Sequence, residues 1–355
     1  MSADLQAEAT RLVANGKGIL AADETVPTIT RRFEALGIPS TEQSRRTYRE
    51  MLFTAPGAAD YLSGAILQDE TIHQESSSGA SMARALAERG VAPGIKVDAG
   101  TRPLAGAPSE TVTEGLDGLR ERLAEYRGLG ARFAKWRAVF RITEATPSLM
   151  CVMANAHALA RYAALCQEQD LVPIVEPEVL MDGAHSLERC EEVTGHVLHA
   201  VFDALAGQHV ALEAMLLKPN MVVPGEDCEE MASVEDVARA TLRCLRRNVP
   251  AATPGIVFLS GGQEAHLATA HLNAINREPG PKPWAISFSY GRALQDPALE
   301  AWGGRDQNLV AGALALTQRA RCNGAASLGT YTDDFESSLL SRAESPRRRG
   351  DGGDD

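Results

Sequence analysis

VPIVEPE, residues 172–178, is a short apolar run that ends in two carboxylates, and it is one of eight β-prone runs along the chain. Working outward from it, the runs recur about every 30 to 45 residues, with segments of helical periodicity between them. The eight runs are Gly18–Ala22, Gly64–Gln68, Gly94–Val97, Arg132–Trp136, Val172–Glu176, Met215–Lys218, Gly255–Ser260 and Ala285–Phe288. The predicted helices are Thr41–Phe53, Leu116–Leu129, Ser148–Glu168, Leu187–Leu205, Val234–Arg247 and Glu264–Asn276. This alternation predicts repeated βα units, and eight is the number that closes a parallel barrel.

A doubly wound sheet also alternates strands and helices, but it usually has fewer strands and often carries a glycine-rich fingerprint after the first one. Here Gly16 and Gly18 open the first run instead of following it. We therefore predict an α/β fold, a (β/α)8 TIM barrel, as one catalytic domain over residues 1–331. Residues 332–355 are polar and charged, which predicts a mobile C-terminal tail.

Composition narrows the class of protein. The 355 residues are 44% hydrophobic, enough for a large core, and 35 Lys and Arg against 47 Asp and Glu leave a net charge of -12. That charge disfavours a nucleic-acid partner, and no run approaches the roughly 18 apolar residues of a membrane span. The first residues resemble neither a signal nor a transit peptide, so we expect a cytoplasmic protein. Without a CxxC or HExxH pattern we expect no metal and no cofactor.

Ionisable residues stand where a barrel places its chemistry, at the carboxyl ends of the strands. A lysine inside a barrel strand meets either the interior or the helices, and both locations penalise an unpaired ammonium. One such lysine is explained by snorkelling or by pairing with a carboxylate. Three of them together with several carboxylates indicate a catalytic site. The residues at or after the runs are Asp23, Glu24, Lys96, Lys135, Arg137, Glu176, Glu178, Lys218, Ser260 and Arg292.

Lys218 lies in LLKPNMV, where apolar residues favour burial and Pro219 ends the strand. Desolvation and nearby cations, for which Lys135 and Lys96 are candidates, are expected to lower its pKa from about 10.4 and make it a carbonyl nucleophile. Glu176 and Glu178 are two positions apart, so they leave an extended segment on the same face. They either share proton transfer or compensate the charge of the lysines, and the two interpretations are compatible.

Two glycine loops follow the seventh and eighth runs, at Ser260–Gly262 and Tyr290–Arg292. Glycines let backbone N–H groups approach an anion, an arginine adds a charge-assisted pair, and barrels often bind phosphate at this place. The residues alone thus predict a metal-free enzyme in which Lys218 forms a Schiff base with a phosphorylated ketone or aldehyde. Acid and base roles fall to the carboxylates after the first and fifth runs.

Eight motifs occur in order between about residue 16 and residue 331: GKGILAADE, GIKVD, FAKWR, VPIVEPE, LLKPNMV, FLSGGQ, LNAIN and KPWAISFSYGRALQ. In that order they resemble the class I fructose-1,6-bisphosphate aldolase family. The resemblance implies a (β/α)8 barrel, commonly a homotetramer, and a metal-independent lyase of glycolysis. The implied reaction is the reversible cleavage of fructose 1,6-bisphosphate into dihydroxyacetone phosphate and glyceraldehyde 3-phosphate.

The resemblance also implies catalytic roles. Lys218 forms the Schiff base with the C2 ketone, and Glu176 handles protons during carbinolamine formation and dehydration, with Glu178 assisting nearby. Lys135 stabilises developing charge and lowers the pKa of Lys218. Asp23 orients the reacting hydroxyls and Lys135.

Phosphate ligands are implied in the same way. The ketone-side group falls to Ser260, Gly261, Gly291 and Arg292, the loops that the barrel argument also selects. The aldehyde-side group falls to Lys96 and to hydroxyls of the loop after the first strand. That loop has the sequence ETVPTITRR, stiffer than the serine- and glycine-containing version of relatives. The candidate ligands in this loop are Thr25, Thr28 and Arg32. Arg137, directly after the fourth run, is a further candidate.

Relatives end in a tyrosine on a flexible tail that helps exchange the C3 proton of the enamine, whereas this sequence ends in GDGGDD. Tyr331 lies too near the barrel to be assigned that role. We expect carbon–carbon cleavage to be retained and enamine protonation to be slowed or passed to another acid.

Other functions remain open from the sequence. The altered first loop allows a transaldolase-like enzyme or an aldolase that prefers fructose 1-phosphate. A non-catalytic scaffold would need no buried lysines, and a metal-dependent aldolase would need a histidine cluster that the sequence does not show. The expected partners are a sugar phosphate and further copies of the chain, with neither nucleic acid nor membrane.

Overall fold

The computed structural model describes residues 3–336. Within them, eight parallel strands close a barrel in the order β1, β2, β3, β6, β7, β8, β9, β10. The strands are β1 (Gly18–Ala21), β2 (Leu62–Leu67), β3 (Ala92–Lys96), β6 (Phe133–Phe140), β7 (Val172–Val179), β8 (Leu216–Leu217), β9 (Gly255–Phe258) and β10 (Ala285–Tyr290). All eight predicted runs are strands, and the predicted TIM barrel is confirmed. The remaining two strands, β4 (Thr101–Leu104) and β5 (Ala107–Thr113), form an antiparallel hairpin that the sequence patterns did not predict.

Helices surround the barrel. They are α1 (Ala3–Leu12), α2 (Val26–Glu34), α3 (Glu42–Phe53), α4 (Asp69–Ile72), α5 (Met82–Ala87), α6 (Leu119–Gly128), α7 (Leu149–Glu168), α8 (Leu187–Gly207), α9 (Val234–Asn248), α10 (Ala265–Arg277), α11 (Arg292–Trp302) and α12 (Leu309–Ser327). The six predicted helices correspond to α3 and α6 to α10. The other six described helices were not predicted.

The residues after β1, expected to form a stiff loop, are instead helical from Val26. Thr25 takes the N-cap position in extended conformation, and Pro27 stands in the first turn, where its fixed φ and missing N–H suit a helix start. Ile29 and Phe33, four residues apart, are both fully buried against the barrel. The proline that suggested a stiff loop therefore begins a helix.

Side-chain alternation along the strands produces two layers inside the barrel. The lower layer is apolar and belongs to a cluster that α1 closes from below with Leu5, Ala9 and Leu12. Two residues further along five of the eight strands, the inward positions become ionisable. These steps run from Ala21 to Asp23, Gly94 to Lys96, Phe133 to Lys135, Ile174 to Glu176, and Leu216 to Lys218. The ionisable layer lies at the carboxyl end of the barrel.

Among the described helices, only α7 is long and apolar enough to cross a membrane by length and composition alone. Its most apolar window is 56% buried in the protein, and the helix packs against β6, β7 and α8. Packing between the sheet and a neighbouring helix accounts for its composition.

Ordered contacts continue into the predicted tail. Asp333–Glu336 form a 3-10 helix, and the Tyr331 hydroxyl donates to Glu336 Oε1 at 2.6 Å. Arg319 on α12 pairs with Glu336 Oε2 at 2.5 Å. The packed chain therefore extends to Glu336, and the rest of the predicted tail, residues 337–355, lies outside the described residues.

Candidate active site

Four side chains of the ionisable layer form one continuous chain of ion pairs. Asp23 Oδ2 lies 2.6 Å from Lys135 Nζ, and Lys135 Nζ lies 3.3 Å from Glu176 Oε2. Glu176 Oε1 lies 3.0 Å from Lys218 Nζ. Both lysine side chains and Glu176 are almost fully buried. The barrel thus brings together four of the five predicted catalytic residues, with Glu176 between the two lysines.

Charge states in this chain follow from burial and from the partners. Burial raises the pKa of Asp23, but the ammonium groups of Lys135 and Lys218 outweigh it, and the pKa falls to about 2. Burial lowers the pKa of Lys135, but the carboxylates of Asp23 and Glu176 outweigh it and raise that pKa well above its usual range. Asp23 is therefore an anion and Lys135 a cation at any physiological pH.

Strand register explains why these residues meet. Lys135 pairs with Ile174 across β6 and β7, so Glu176 stands one inward position above that pair. Ile174 in turn pairs with Leu216 of β8, which places Lys218 one inward position higher on the next strand. The backbone N–H of Lys218 continues the hydrogen bonding between β7 and β8 by donating to the Val175 carbonyl at 2.8 Å.

Two further ion pairs flank the chain. Glu178 is in β7, on the same face as Glu176, but it pairs with the guanidinium of Arg137 and contacts neither lysine of the chain. Burial lowers the pKa of Arg137, and Glu178 outweighs it and raises that pKa. Lys96 is in β3 and its ammonium binds the carboxylate of Asp98, also donating to the Asp98 carbonyl at 2.7 Å.

Asp98 is a site residue that sequence reasoning missed. Its side chain is 3% exposed. Besides Lys96, it accepts the N–H of Arg137 at 3.3 Å and of Gly100 at 3.1 Å. Its signal was present in the motif GIKVD, where a carboxylate follows a strand lysine by two positions and so shares its face.

The glycine loop after β9 has the shape of an anion site. Ser260 is buried, and Gly261 and Gly262 adopt positive φ angles of 61° and 98°. No acceptor among the described residues binds the N–H groups of these two glycines. Backbone N–H groups that are left free in a turn of this kind form a concave site for an anion.

The second glycine loop supplies a cation next to the first. Arg292 begins α11, and a Cβ built on Gly262 would lie 3.3 Å from Arg292 Nη2. Gly291, at the N-cap, lies beside the Ala21 carbonyl at the end of β1. The two loops, a helix N-terminus and the guanidinium therefore meet beside the ion-pair chain, an arrangement suited to a phosphate group.

Ser289 was also missed. It is 1% exposed and lies on the same side of β10 as Ala285, which packs in the barrel interior. Its hydroxyl has no hydrogen-bond partner among residues 3–336, although a buried hydroxyl normally has one. The period of two along the strand could have identified it, since it precedes the second glycine loop.

The other predicted ligands of the aldehyde-side phosphate, Thr25, Thr28 and Arg32, form no hydrogen bond or ion pair with Lys96 or Arg137. Arg32 pairs with Glu24 at 2.6 Å and with Asp296 of α11 at 2.7 Å, so it lies on the side of the mouth that carries Arg292. The Thr25 and Thr28 hydroxyls are 3.1 Å apart at the start of α2.

Within residues 3–336, no three or more His, Cys, Asp or Glu side chains lie together in a way that could hold a metal ion. The donor set of the barrel mouth alternates ammonium and carboxylate groups. Its carboxylates are engaged by lysine or arginine partners.

Comparison with known proteins agrees with this geometry. The family model described as fructose-bisphosphate aldolase class-I matches residues 4–345. The chain is 56% identical to a probable fructose-bisphosphate aldolase class 1 of Xanthomonas campestris over 334 residues, covering 93% of this chain and 99% of that protein. It is 52% identical to the cytosolic fructose-bisphosphate aldolase 4 of Arabidopsis thaliana over 333 residues, covering 94% and 85%.

A solved structure is similar as well. The fructose-bisphosphate aldolase of Plasmodium falciparum, crystallised with TRAP and a small-molecule inhibitor, superposes with a TM-score of 0.91 at 47% identity. The alignment covers 94% of this chain and 97% of that one. The chain belongs to the class I fructose-bisphosphate aldolase family, and its activity is the reversible cleavage of fructose 1,6-bisphosphate into dihydroxyacetone phosphate and glyceraldehyde 3-phosphate.

Proposed function

We propose that Lys218 is the residue that forms the Schiff base in this aldolase reaction, with Glu176 as its proton partner. The observation that carries the proposal is the 3.0 Å contact between Lys218 Nζ and Glu176 Oε1. It lies inside the barrel at the end of a chain of alternating charges. A nucleophilic amine held against a buried carboxylate has its proton acceptor in place before substrate binds.

The steps balance with these two side chains and water. Glu176 takes a proton from the Lys218 ammonium, and the free amine attacks C2 of the substrate. A proton moves from the attacking nitrogen to the C2 oxygen, which gives a carbinolamine. The C2 oxygen is protonated by Glu176 and leaves as water, and a protonated imine remains. Glu176 then accepts the proton of the C4 hydroxyl as the C3–C4 bond breaks. The bonding electrons move into the imine, which becomes an enamine, and the aldehyde departs.

The enamine then returns to the resting state. A proton is added at C3, balanced by the proton that Glu176 took from the C4 hydroxyl and now gives up. The imine re-forms, and water hydrolyses it to dihydroxyacetone phosphate and the Lys218 ammonium. The two charges fixed by their surroundings, Lys135 and Asp23, act in this scheme as electrostatic groups. Lys135 stabilises negative charge that develops on the substrate oxygens, and Asp23 holds Lys135 in place and orients the hydroxyls. Because Lys135 stays protonated and Asp23 stays ionised, neither residue transfers a proton in this scheme.

The phosphate groups are assigned to opposite sides of the mouth. We assign the ketone-side phosphate to the site formed by the two glycine loops: Ser260, Gly261, Gly291 and Arg292, with the unpartnered hydroxyl of Ser289 as an additional donor. The aldehyde-side phosphate goes to Lys96 and Arg137, which flank the ion-pair chain on β3 and β6. Both cations hold carboxylate partners, so a bound phosphate shares them with Asp98 and Glu178. Thr25 and Thr28 remain candidates for binding the same phosphate. Arg32, which the sequence also predicted for it, pairs with Asp296 on the side of Arg292, and we do not assign it to this group.

Borohydride trapping tests the Schiff-base assignment. The protein is incubated with dihydroxyacetone phosphate, reduced, digested and analysed by mass spectrometry, with Lys218→Arg and Lys135→Arg as matched variants. We expect a reduced adduct on Lys218 in the unaltered protein and none in Lys218→Arg, because a guanidinium cannot form the imine. An adduct that persists in Lys218→Arg, or one located on Lys135, would overturn the assignment.

Further aspects of the function follow from the family. We propose a cytoplasmic homotetramer acting in glycolysis, since the resemblance implies a tetramer and an Arabidopsis relative is named cytosolic. Light scattering of the purified protein tests the assembly, and cell fractionation with antibody detection tests the location. A monomeric mass at micromolar concentration would contradict the tetramer.

A further inference from the structure

A buried hydrogen-bond chain connects α10 to the first glycine loop. His271 Nδ1 lies 2.6 Å from Gln263 Oε1, and Gln263 Nε2 donates to the Ser260 carbonyl at 3.0 Å. Each of these three residues is at least nine-tenths buried. None of the steps assigned to the reaction uses His271.

The direction of these bonds is determined by chemistry. An amide oxygen only accepts, and the amide nitrogen of Gln263 already donates to a carbonyl, so Nδ1 of His271 carries the proton and donates. Burial lowers the pKa of His271 to about 4, with Glu235 opposing weakly. The imidazole is therefore neutral at physiological pH, and its single proton is committed to Gln263.

The chain ends on the carbonyl that shapes the loop. The Ser260 carbonyl accepts two bonds from Gln263, one from its backbone N–H and one from its side chain, both at 3.0 Å. These bonds close the turn whose central residues are Gly261 and Gly262. With the carbonyl held inside the turn, the glycine N–H groups stay free for an anion.

We propose that His271 is a positioning residue for the ketone-side phosphate site: by donating to Gln263, it fixes the amide that holds the Ser260 turn open toward phosphate. This rests on the proposed assignment of that loop to the phosphate. His271 itself touches neither the reacting atoms nor the phosphate. Its effect passes through Gln263.

Loss of the His271 donor has a defined consequence. The buried Gln263 oxygen is left without a hydrogen-bond donor, which is unfavourable. The amide therefore rotates more readily and releases the Ser260 carbonyl. The loop then samples turns in which its N–H groups no longer converge. We expect binding of phosphorylated ligands to weaken about tenfold, and the chemistry at Lys218 to be unaffected, because preorganised donors act on the group they face.

The test compares variants that keep or remove the donor. His271→Leu removes the donor and retains much of the volume, whereas His271→Gln restores an N–H. Asn276→Ala is the matched control, because Asn276 also ties α10 to a neighbouring element by a side-chain hydrogen bond, but to the Ala326 carbonyl of α12 and not to the loop. The readouts are the inhibition constant of inorganic phosphate, KM for fructose 1-phosphate, and borohydride trapping with unphosphorylated dihydroxyacetone.

We expect His271→Leu to raise the phosphate inhibition constant and KM about tenfold while trapping of dihydroxyacetone stays within twofold. His271→Gln should recover most of the loss, and Asn276→Ala should show none of it. Equal losses with dihydroxyacetone and with phosphorylated ligands would mean a merely structural role and would overturn the proposal. Gln263→Met serves if His271→Leu does not fold, with the same expected pattern.

Arg292→Ala separates this inference from the assignment it depends on. If Arg292→Ala weakens phosphate binding and neither His271→Leu nor Gln263→Met does, the phosphate site stands and the role of His271 is wrong. If Arg292→Ala leaves phosphate binding unchanged, the assignment of the loops is wrong and the inference falls with it.

Discussion

At the residue scale, Arg137 and each lysine of the barrel mouth described in the structure have a carboxylate partner. The partnered groups are Lys96 with Asp98, Lys135 with Asp23 and Glu176, Arg137 with Glu178, and Lys218 with Glu176. Pairing is what allows lysines to occupy a barrel interior, since removing one partner would leave an uncompensated buried charge. Glu176 is the one carboxylate of this set that contacts two cations, so we expect its substitution to have the largest effect on activity.

Glu176→Gln is expected to reduce kcat by about 10²- to 10⁴-fold, the usual contribution of a positioned acid–base group. The variant keeps the shape but cannot accept the proton of Lys218 or of the C4 hydroxyl. Steady-state cleavage of fructose 1,6-bisphosphate measures it. Glu178→Gln is the comparison: because its partner is Arg137, its main effect should fall on KM, and equal losses of kcat in the two variants would contradict distinct roles.

His271 also carries a pH prediction. Its pKa is about 4 in the folded protein against about 6.5 when unfolded. Between these values the unfolded chain binds more protons, so the free energy of unfolding falls as pH falls, by about 3 kcal/mol in total. Urea unfolding from pH 7 to pH 4 measures this slope. His271→Asn should show a shallower slope, whatever its stability at pH 7, and parallel slopes would count against the buried neutral imidazole.

At the element scale, the packing of strand β3 against β6 depends on a glycine, Gly94, which leaves room for the ring of Phe133. A Cβ on Gly94 would overlap the ring of Phe133, which fills the lower layer of the barrel. Gly94→Ala is therefore expected to destabilise the protein by about 1–3 kcal/mol, the usual cost of overpacking a core. Chemical denaturation monitored by circular dichroism measures the change.

Gly128, the last residue of α6, supplies the control for Gly94. It has no heavy atom within 4 Å of a built Cβ, so Gly128→Ala should be neutral or stabilise by up to about 1 kcal/mol through helix propensity. A similar loss in both variants would show that close contact with Phe133 is not the cause.

At the scale of the whole molecule, the closed barrel brings residues that are far apart in sequence, from Asp23 to Arg292, into one site. Residues 337–355 add no His, Cys, Lys or Tyr to it. A chain ending at Glu336 is therefore expected to keep its cleavage rate and its C3 proton exchange within about twofold, because the removed segment carries no side chain that titrates near neutral pH.

Tritium exchange into dihydroxyacetone phosphate, measured beside the cleavage rate, tests this truncation. Truncation at Thr330 instead would also remove Tyr331 and the contacts of Glu336 with α12, and should lower thermal stability. A large fall in exchange on removing only residues 337–355 would show that this segment takes part in enamine protonation.

Much of this protein follows from local sequence. The eight strands, six of the long helices and the ionisable positions after the runs are set by alternation and periodicity, which are properties of neighbouring residues. Lys218 and Glu176 could be named because a charged residue that ends an apolar strand is costly wherever it points. The hairpin β4–β5, the helix at Val26 and the shorter helices escaped because their patterns are short or polar. Helix α12, 19 residues long, escaped because its small and apolar residues do not form one distinct apolar face.

Tertiary structure decided the pairings. Sequence could not show that Glu178 would meet Arg137 while Glu176 met both lysines, because the register between β6, β7 and β8 sets which inward positions are level. Nor could it show that His271 meets the side chain of Gln263, since that bond depends on how the loop after β9 folds against α10. Sequence by itself determined which residues face inward and carry charge, because alternation is local. Only the closed barrel decided which charge meets which, because those distances depend on chain segments far apart.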